Sequence, residues 1–116
     1  LNKKLNNMEL TEKAKEEFEK WYLKGQHNEE GYHDYLLRSF YSKGLSMQYG
    51  VYVDFFDSVG LKIFIEPDKI EMYYLFITPN DCVGTYCIGD NIFITRQEAR
   101  EQAIKKANEI FNNRIE

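Results

Sequence analysis

The chain has 116 residues, 43% hydrophobic and 16% aromatic, which is enough apolar material for one packed domain and argues against intrinsic disorder. Its net charge of −4 weighs against a general nucleic-acid-coating role, because phosphate binding is driven by clustered Lys and Arg. No apolar run is long enough to span a bilayer and no secretory signal is visible, so no membrane association and a cytoplasmic location are expected. Residues 1–7 (LNKKLNN) read as a flexible tail before Met8, which would fit a translation start, and residues 8–116 as a single domain. Cys82 and Cys87 are too few for a disulfide framework, and their spacing matches no common zinc signature; reduced thiols are expected.

Leu10, Ala14, Phe18, Trp21 and Tyr22 recur at helical spacing and predict a first helix over about 12–24, with Thr11 as N-cap and Gly25 as the stop. GQHNEEG is a polar loop. Tyr32, Tyr35, Leu36, Phe40 and Tyr41 predict a second helix, closed by Lys43 and Gly44. The stretch SMQYGVYVDFFDSVG, residues 46–60, predicts a third. Its Ser46, Gly50, Asp54, Asp57 and Ser58 share one polar stripe, and apolar or aromatic residues fill the remaining arc. Ser46 suits the cap and Gly60 the position after the helix.

From Leu61 the period becomes two. LKIFIE sets Leu61, Ile63 and Ile65 against Lys62 and Glu66, with Phe64 on the second face. EPDK is a turn. KIEMYYLFIT is a second strand, with Ile70, Met72, Tyr74 and Phe76 on one face. TYCI and NIFIT flank Gly89-Asp90 and suggest a hairpin. Thr95-Arg-Gln-Glu98 is a capping box, and Ala99, Ala103, Ala107, Ile110 and Phe111 line one face of the helix that follows. The expected class is therefore α+β: three N-terminal helices, a four-stranded antiparallel meander and one C-terminal helix packed on the sheet.

Motifs for chemistry are weak. Pro67-Asp68 with Glu71 is reminiscent of a nuclease carboxylate pair, but no Lys follows Glu71 and the turn reading prevails. Asp54 and Asp57 lie one helical turn apart without further ligands, so a solvated stripe is preferred to acid/base work. His27, Glu29 and His33 fit no standard zinc spacing, and Cys87 has no evident base. No phosphate loop, dinucleotide fingerprint or nucleophile elbow is present. No catalytic residue, metal or cofactor is assigned, and a non-enzymatic protein is expected.

Between Ser46 and Thr95 stand seven acids (Asp54, Asp57, Glu66, Asp68, Glu71, Asp81, Asp90) and only Lys62 and Lys69 as bases. The chain also carries more amphipathic rings than one small core hides, and Tyr and Trp favour interfaces. Tyr49, Tyr52, Asp54, Asp57, Glu66, Asp68, Glu71 and Tyr73 are thus the candidate partner-binding residues, facing a basic protein surface. Nucleic-acid contacts would come from the mixed-charge helices: Arg100, Lys105, Lys106 and Arg114, or Lys13, Lys20 and Lys24. Aromatic stacking of single strands would need a basic groove, and none is obvious in the sequence.

LTEKAKEEFEKWY, residues 45–60 and the segment Thr95-Arg-Gln-Glu-Ala-Arg with Ala-Ile-Lys-Lys-Ala-Asn-Glu-Ile-Phe111 resemble a group of small, mostly uncharacterised phage and prophage proteins of Bacteroidota. The resemblance covers most of the chain from Met8 onward and brings no catalytic residues with it. It implies a phage-borne protein acting inside the host cell. A small, acidic protein of that kind suits an inhibitor of host defence. The most concrete form is an anti-CRISPR protein binding an RNA-guided nuclease or its guide RNA complex, whose basic channels would attract an acidic aromatic surface. The alternatives are a phage structural or assembly protein, a homo-oligomer burying the aromatic arc of residues 49–59 against its own copy, and a nucleic-acid-binding accessory protein. The expected oligomeric state is monomer or homodimer.

Overall fold

The computed structural model describes residues 8–67, 72–79, 86–93 and 95–114. In chain order these form α1 (Glu12–Tyr22), α2 (Tyr32–Tyr41), α3 (Leu45–Ser58), β1 (Leu61–Pro67), β2 (Tyr73–Pro79), β3 (Tyr86–Phe93) and α4 (Arg96–Arg114). The class is α+β as expected, with three N-terminal helices, an antiparallel sheet in meander order and a C-terminal helix packed on it. Residues 1–7, the EPDK turn after Pro67 and Cys82 lie outside the described residues.

Among the described residues the strand order is β1-β2-β3. Ile63 stands opposite Ile77 and Ile65 opposite Leu75, so one parity of β1 and β2 forms the core face. Leu61, Leu75 and Ile77 are fully buried there. TYCI and NIFIT, read as the third and fourth strands, both pair antiparallel with β2. Among the described residues they make up β3, with a register shift between the two halves. Tyr86 faces Ile77 and Cys87 faces Phe76; the register then shifts, and Ile92 faces Tyr74.

α3 and α4 cover the core face of the sheet. The α3 reading holds in outline. Tyr52, Phe55 and Phe56 are buried, while Gly50, Asp54, Asp57 and Ser58 are exposed. Gly60 has φ +91° immediately after the C-cap residue Val59, a conformation glycine adopts without a Cβ penalty. The start differs from expectation. Gly44 holds the N-cap position, and the Ser46 hydroxyl accepts a hydrogen bond from Arg100 instead (3.1 Å). Gln48, buried inside the first turns, donates to the carbonyls of Tyr41 (3.3 Å) and Lys43 (2.8 Å) and so fixes the α2–α3 corner.

Phe18 of α1 is the aromatic hub. Its ring meets Phe40 at 5.2 Å, Tyr52 at 5.0 Å and Phe55 at 5.5 Å, the last two edge-on. Edge-on rings align the positive rim of one with the negative face of the other. α4 begins with the expected cap: the Glu98 amide donates to Thr95 Oγ1 (3.0 Å). It buries Ala99, Ala103, Ala107 and Phe111 as predicted, and Ile104 and Asn108 as well.

Asn108 and Asn112 explain how the two ends of the chain are joined. Thr11 is the N-cap residue of α1, as expected, but its side chain makes no cap bond within that helix. The exposed amides of the first turn are capped by α4 instead. Thr11 N–H donates to Asn108 Oδ1 (2.9 Å) and Ala14 N–H to Asn112 Oδ1 (2.7 Å). In return Asn108 Nδ2 donates to Thr11 Oγ1 (3.0 Å) and Asn112 Nδ2 to the Thr11 carbonyl (3.1 Å). Both ends of each amide are used, so truncation strands backbone donors at a partly buried helix end. Asn108→Ala and Asn112→Ala are each expected to lower stability by about 1–3 kcal/mol, read as a fall in the urea midpoint at unchanged slope. Asn113→Ala, on an exposed neighbour, should stay within about 0.5 kcal/mol of the parent.

Candidate binding surface

The eight residues assigned to partner binding separate into distinct environments. Tyr52 is only 1% exposed and packs on Phe18 and Phe40, so it belongs to the core and is not available to a partner. Its neighbours Phe55 and Phe56 are equally buried. The aromatic arc of residues 49–59 is thus largely consumed by the chain's own core, which removes it as a self-assembly surface. Helical spacing alone could not say which of its rings would be covered by α1 and α2.

Tyr49 and Tyr73 are half-buried beneath arginines of α4. The Arg96 guanidinium lies 4.9 Å from the Tyr73 ring centre, and that of Arg100 lies 5.3 Å from Tyr49. Such stacking suits a planar, delocalised cation. Burial pushes the Tyr49 hydroxyl above its usual range, and the charges of Arg100 and Arg96 pull against it. Arg100, expected as a nucleic-acid contact, is therefore occupied by Tyr49 and Ser46. Lys106 pairs with Glu109 (3.1 Å), while Lys105 is exposed. Arg114 stands 14 positions beyond Arg100, about 21 Å along the helix axis. These four cations do not form one patch.

Asp54, Asp57 and Glu66 are exposed, as the acidic-surface reading needs. Lys62 Nζ reaches Asp57 Oδ1 at 2.7 Å. Asp54 has no ion-pair partner among the described residues. Asp68 and Glu71 lie outside them.

The sheet itself supplies what the sequence reading did not single out. α3 and α4 cover one face, which leaves the other parity of β1, Lys62, Phe64 and Glu66, exposed. Phe64 is 45% exposed at its centre. Tyr74 stands opposite Glu66, and Ile92, 49% exposed, stands opposite Tyr74. Lys62 belongs to this same face, so its bond to Asp57 brings the acids of α3 to the margin of the surface. Apolar residues on both parities of one strand were the available signal: Phe64 interrupts Lys62 and Glu66 where a solvated face would be polar throughout.

A second exposed group lies on the helices. Tyr32 and Tyr35 stack with centres 6.0 Å apart and planes inclined by 17°. Tyr35 is 58% exposed and Met47, at the start of α3, 62%. Tyr41 donates its O–H to Glu19 at 2.8 Å, tying α2 to α1.

Chemistry is sparse. His33 Nε2 donates to the Gln26 carbonyl (2.8 Å) in the loop before α2. Among the described residues no three His, Cys, Asp or Glu side chains gather closely enough to hold a metal, and no helix is long and apolar enough to cross a membrane. In comparison with known proteins, no family model, no curated protein and no solved structure matches the chain.

Tyr52 in the core and Tyr41 at its exposed margin give the aromatic layer a pH signature. Burial raises both hydroxyls above the usual tyrosine range; Glu9 and Glu19 add to it at Tyr52, and the Glu19 hydrogen bond adds at Tyr41. The folded chain therefore holds these protons more tightly than the unfolded chain does. Their stabilisation is complete below about pH 10 and is lost as pH rises further, because the unfolded tyrosines ionise first. Thermal midpoints should be flat up to about pH 9.5 and then fall, with Tyr52 contributing at most about 1.4 kcal/mol per pH unit. Tyr52→Phe should make that fall shallower; an unchanged alkaline limb would contradict the buried placement of Tyr52.

Proposed function

We propose that the protein is a non-enzymatic binding protein that docks a basic macromolecular surface against the uncovered face of its sheet. The observation that carries this reading is the exposure of Phe64 and Ile92 on a face bordered by Glu66 and Asp57. Apolar side chains exposed together on one face, with charged residues at the border, are the layout of a protein interface. Of the two acids named at its border, Glu66 lies outside the Lys62-Asp57 pair; it favours a basic partner and speeds its approach.

The resemblance to phage and prophage proteins of Bacteroidota extends the proposal. On that reading the partner is a host defence complex in the bacterial cytoplasm, most concretely an RNA-guided nuclease or its guide RNA complex, and the protein is an anti-CRISPR inhibitor. Its support is that resemblance and the acidic, aromatic surface; the basic channels of such effectors match the surface in charge.

The test is inhibition of target cleavage by the guide-loaded nuclease of a Bacteroidota host, with the protein titrated in. Inhibition is expected. Phe64→Ala combined with Glu66→Lys should weaken it by at least about 1 kcal/mol of binding, whereas Tyr35→Ala on the far helical surface should leave it unchanged. Full inhibition by the Phe64/Glu66 variant would overturn the sheet-face docking. Absence of inhibition across nucleases from such hosts would overturn the defence reading.

A further inference from the structure

A groove lined by three lysines lies between α1 and the ends of α3 and α4. Its floor is Trp21, Phe55, Val59 and Phe111. Lys13, Lys20 and Lys24 stand along its rim, with Glu17 the acidic side chain among them. The open volume is ≈ 420 Å³, room for about one nucleotide unit. Positions 13, 17, 20, 21 and 24 recur at three- and four-residue intervals, so α1 and the turn after it present all of them on one side. Arg114 closes the far edge: its guanidinium lies over Phe111 (5.6 Å) and donates to the Val59 carbonyl.

Partial neutralisation leaves a clear surplus of positive charge. Glu17 is shared between Lys13 (3.9 Å) and Lys20 (3.6 Å), and Lys13 also meets Glu16 (3.4 Å). Lys24 and Arg114 have no carboxylate partner among the described residues. Trp21 is half-buried, held from below by Phe18 (5.9 Å) and Phe55 (5.6 Å). A flat ring fixed in place inside a cationic rim is the combination that sequence-tolerant single-strand binding requires. The base stacks on the ring, and the phosphates meet the lysines.

We infer that this groove binds single-stranded nucleic acid, stacking a base on Trp21 with the flanking phosphates on Lys20 and Lys24. An acidic peptide would also answer the charge. The groove is wide open, however, and of its floor rings Phe55 and Phe111 are buried in the core while Trp21 is partly exposed; one flat ring beside lysines, without a closed pocket for a side-chain anchor, favours a planar base. The net charge of −4 opposes any long-range capture of nucleic acid, so the interaction is local, spans few phosphates and is of modest affinity.

Trp21 is the sole tryptophan, so its emission reports on the groove directly. The experiment titrates the full chain with an oligothymidylate of about eight nucleotides and follows Trp21 fluorescence. Saturable quenching is expected, weakening about tenfold between about 50 and 200 mM salt, the slope for two or three phosphate contacts. Lys20→Glu with Lys24→Glu, both at exposed positions, should weaken binding by at least about tenfold, while Lys105→Glu on the exposed side of α4 should not. A duplex of the same length should bind more weakly than the single strand. Four outcomes each overturn the assignment: no quenching at low salt, equal binding by the lysine variant, equal binding by duplex, or quenching by a phenylalanine-bearing acidic peptide but not by the oligonucleotide. None of these residues lies on the sheet face, so failure here leaves the docking reading untouched.

Discussion

The fold depends on how α4 caps α1. A helix start leaves backbone amides without partners inside the helix, and Thr11 does not supply them with its own side chain. Asn108 and Asn112 do, from a helix that lies 97 residues or more further along the chain. Two carboxamides one helical turn apart present acceptor and donor in the same direction, so they can read both the N–H and the C=O of Thr11. This is a positional constraint of a kind that greasy packing cannot provide. Apolar contacts between α1 and α4 would tolerate sliding by a turn; the paired amides accept one register. With α1 held there, Phe18 points at Phe40, Tyr52 and Phe55, and the three N-terminal helices close around one ring.

That closure redistributes the aromatic residues. The core takes Phe18, Phe40, Tyr52, Phe55, Phe56 and Phe111, together with the half-buried rings of Trp21, Tyr22 and Tyr49. The surplus is left in two places, on the α2 surface and on the outer face of the sheet. The sheet is the more telling of the two. Among the described residues the helices pack on one face of the sheet, and on the other Phe64 and Ile92 meet water at a cost that polar residues would not incur.

Much of this architecture was legible in the sequence because period and punctuation agreed. α4 announced itself by Thr95 and Glu98 and by three alanines at four-residue spacing; α3 by its polar stripe and by Gly60. Other features depended on tertiary context. Asn108 and Asn112 looked like ordinary polar residues, since nothing local says which distant amides they meet. Tyr52 looked like an interface ring, because a helix that is apolar nearly all round gives no clue to which side its own chain will cover. The lysines of α1 were visible, but the groove was not: its floor needs Phe55, Val59 and Phe111 from two other helices.

The two surfaces have opposite charge and meet near the α3–β1 turn, where Val59 lines the groove and Asp57 holds Lys62 two residues from it in sequence. At moderate salt a charge acts over about 10 Å, so the two surfaces influence each other where they adjoin. Each therefore weakens the other's attraction for a simple ligand, nucleic acid alone or a basic peptide alone. A ribonucleoprotein is not a simple ligand, since it offers basic protein and exposed RNA side by side. Bound across both surfaces, it would satisfy each charge with its complement, and the second contact would form at a high effective concentration once the first was made. On the proposed reading, discrimination against either component alone would come from charge placement without any sequence-reading side chain, because the unmatched surface would repel what the matched one attracts.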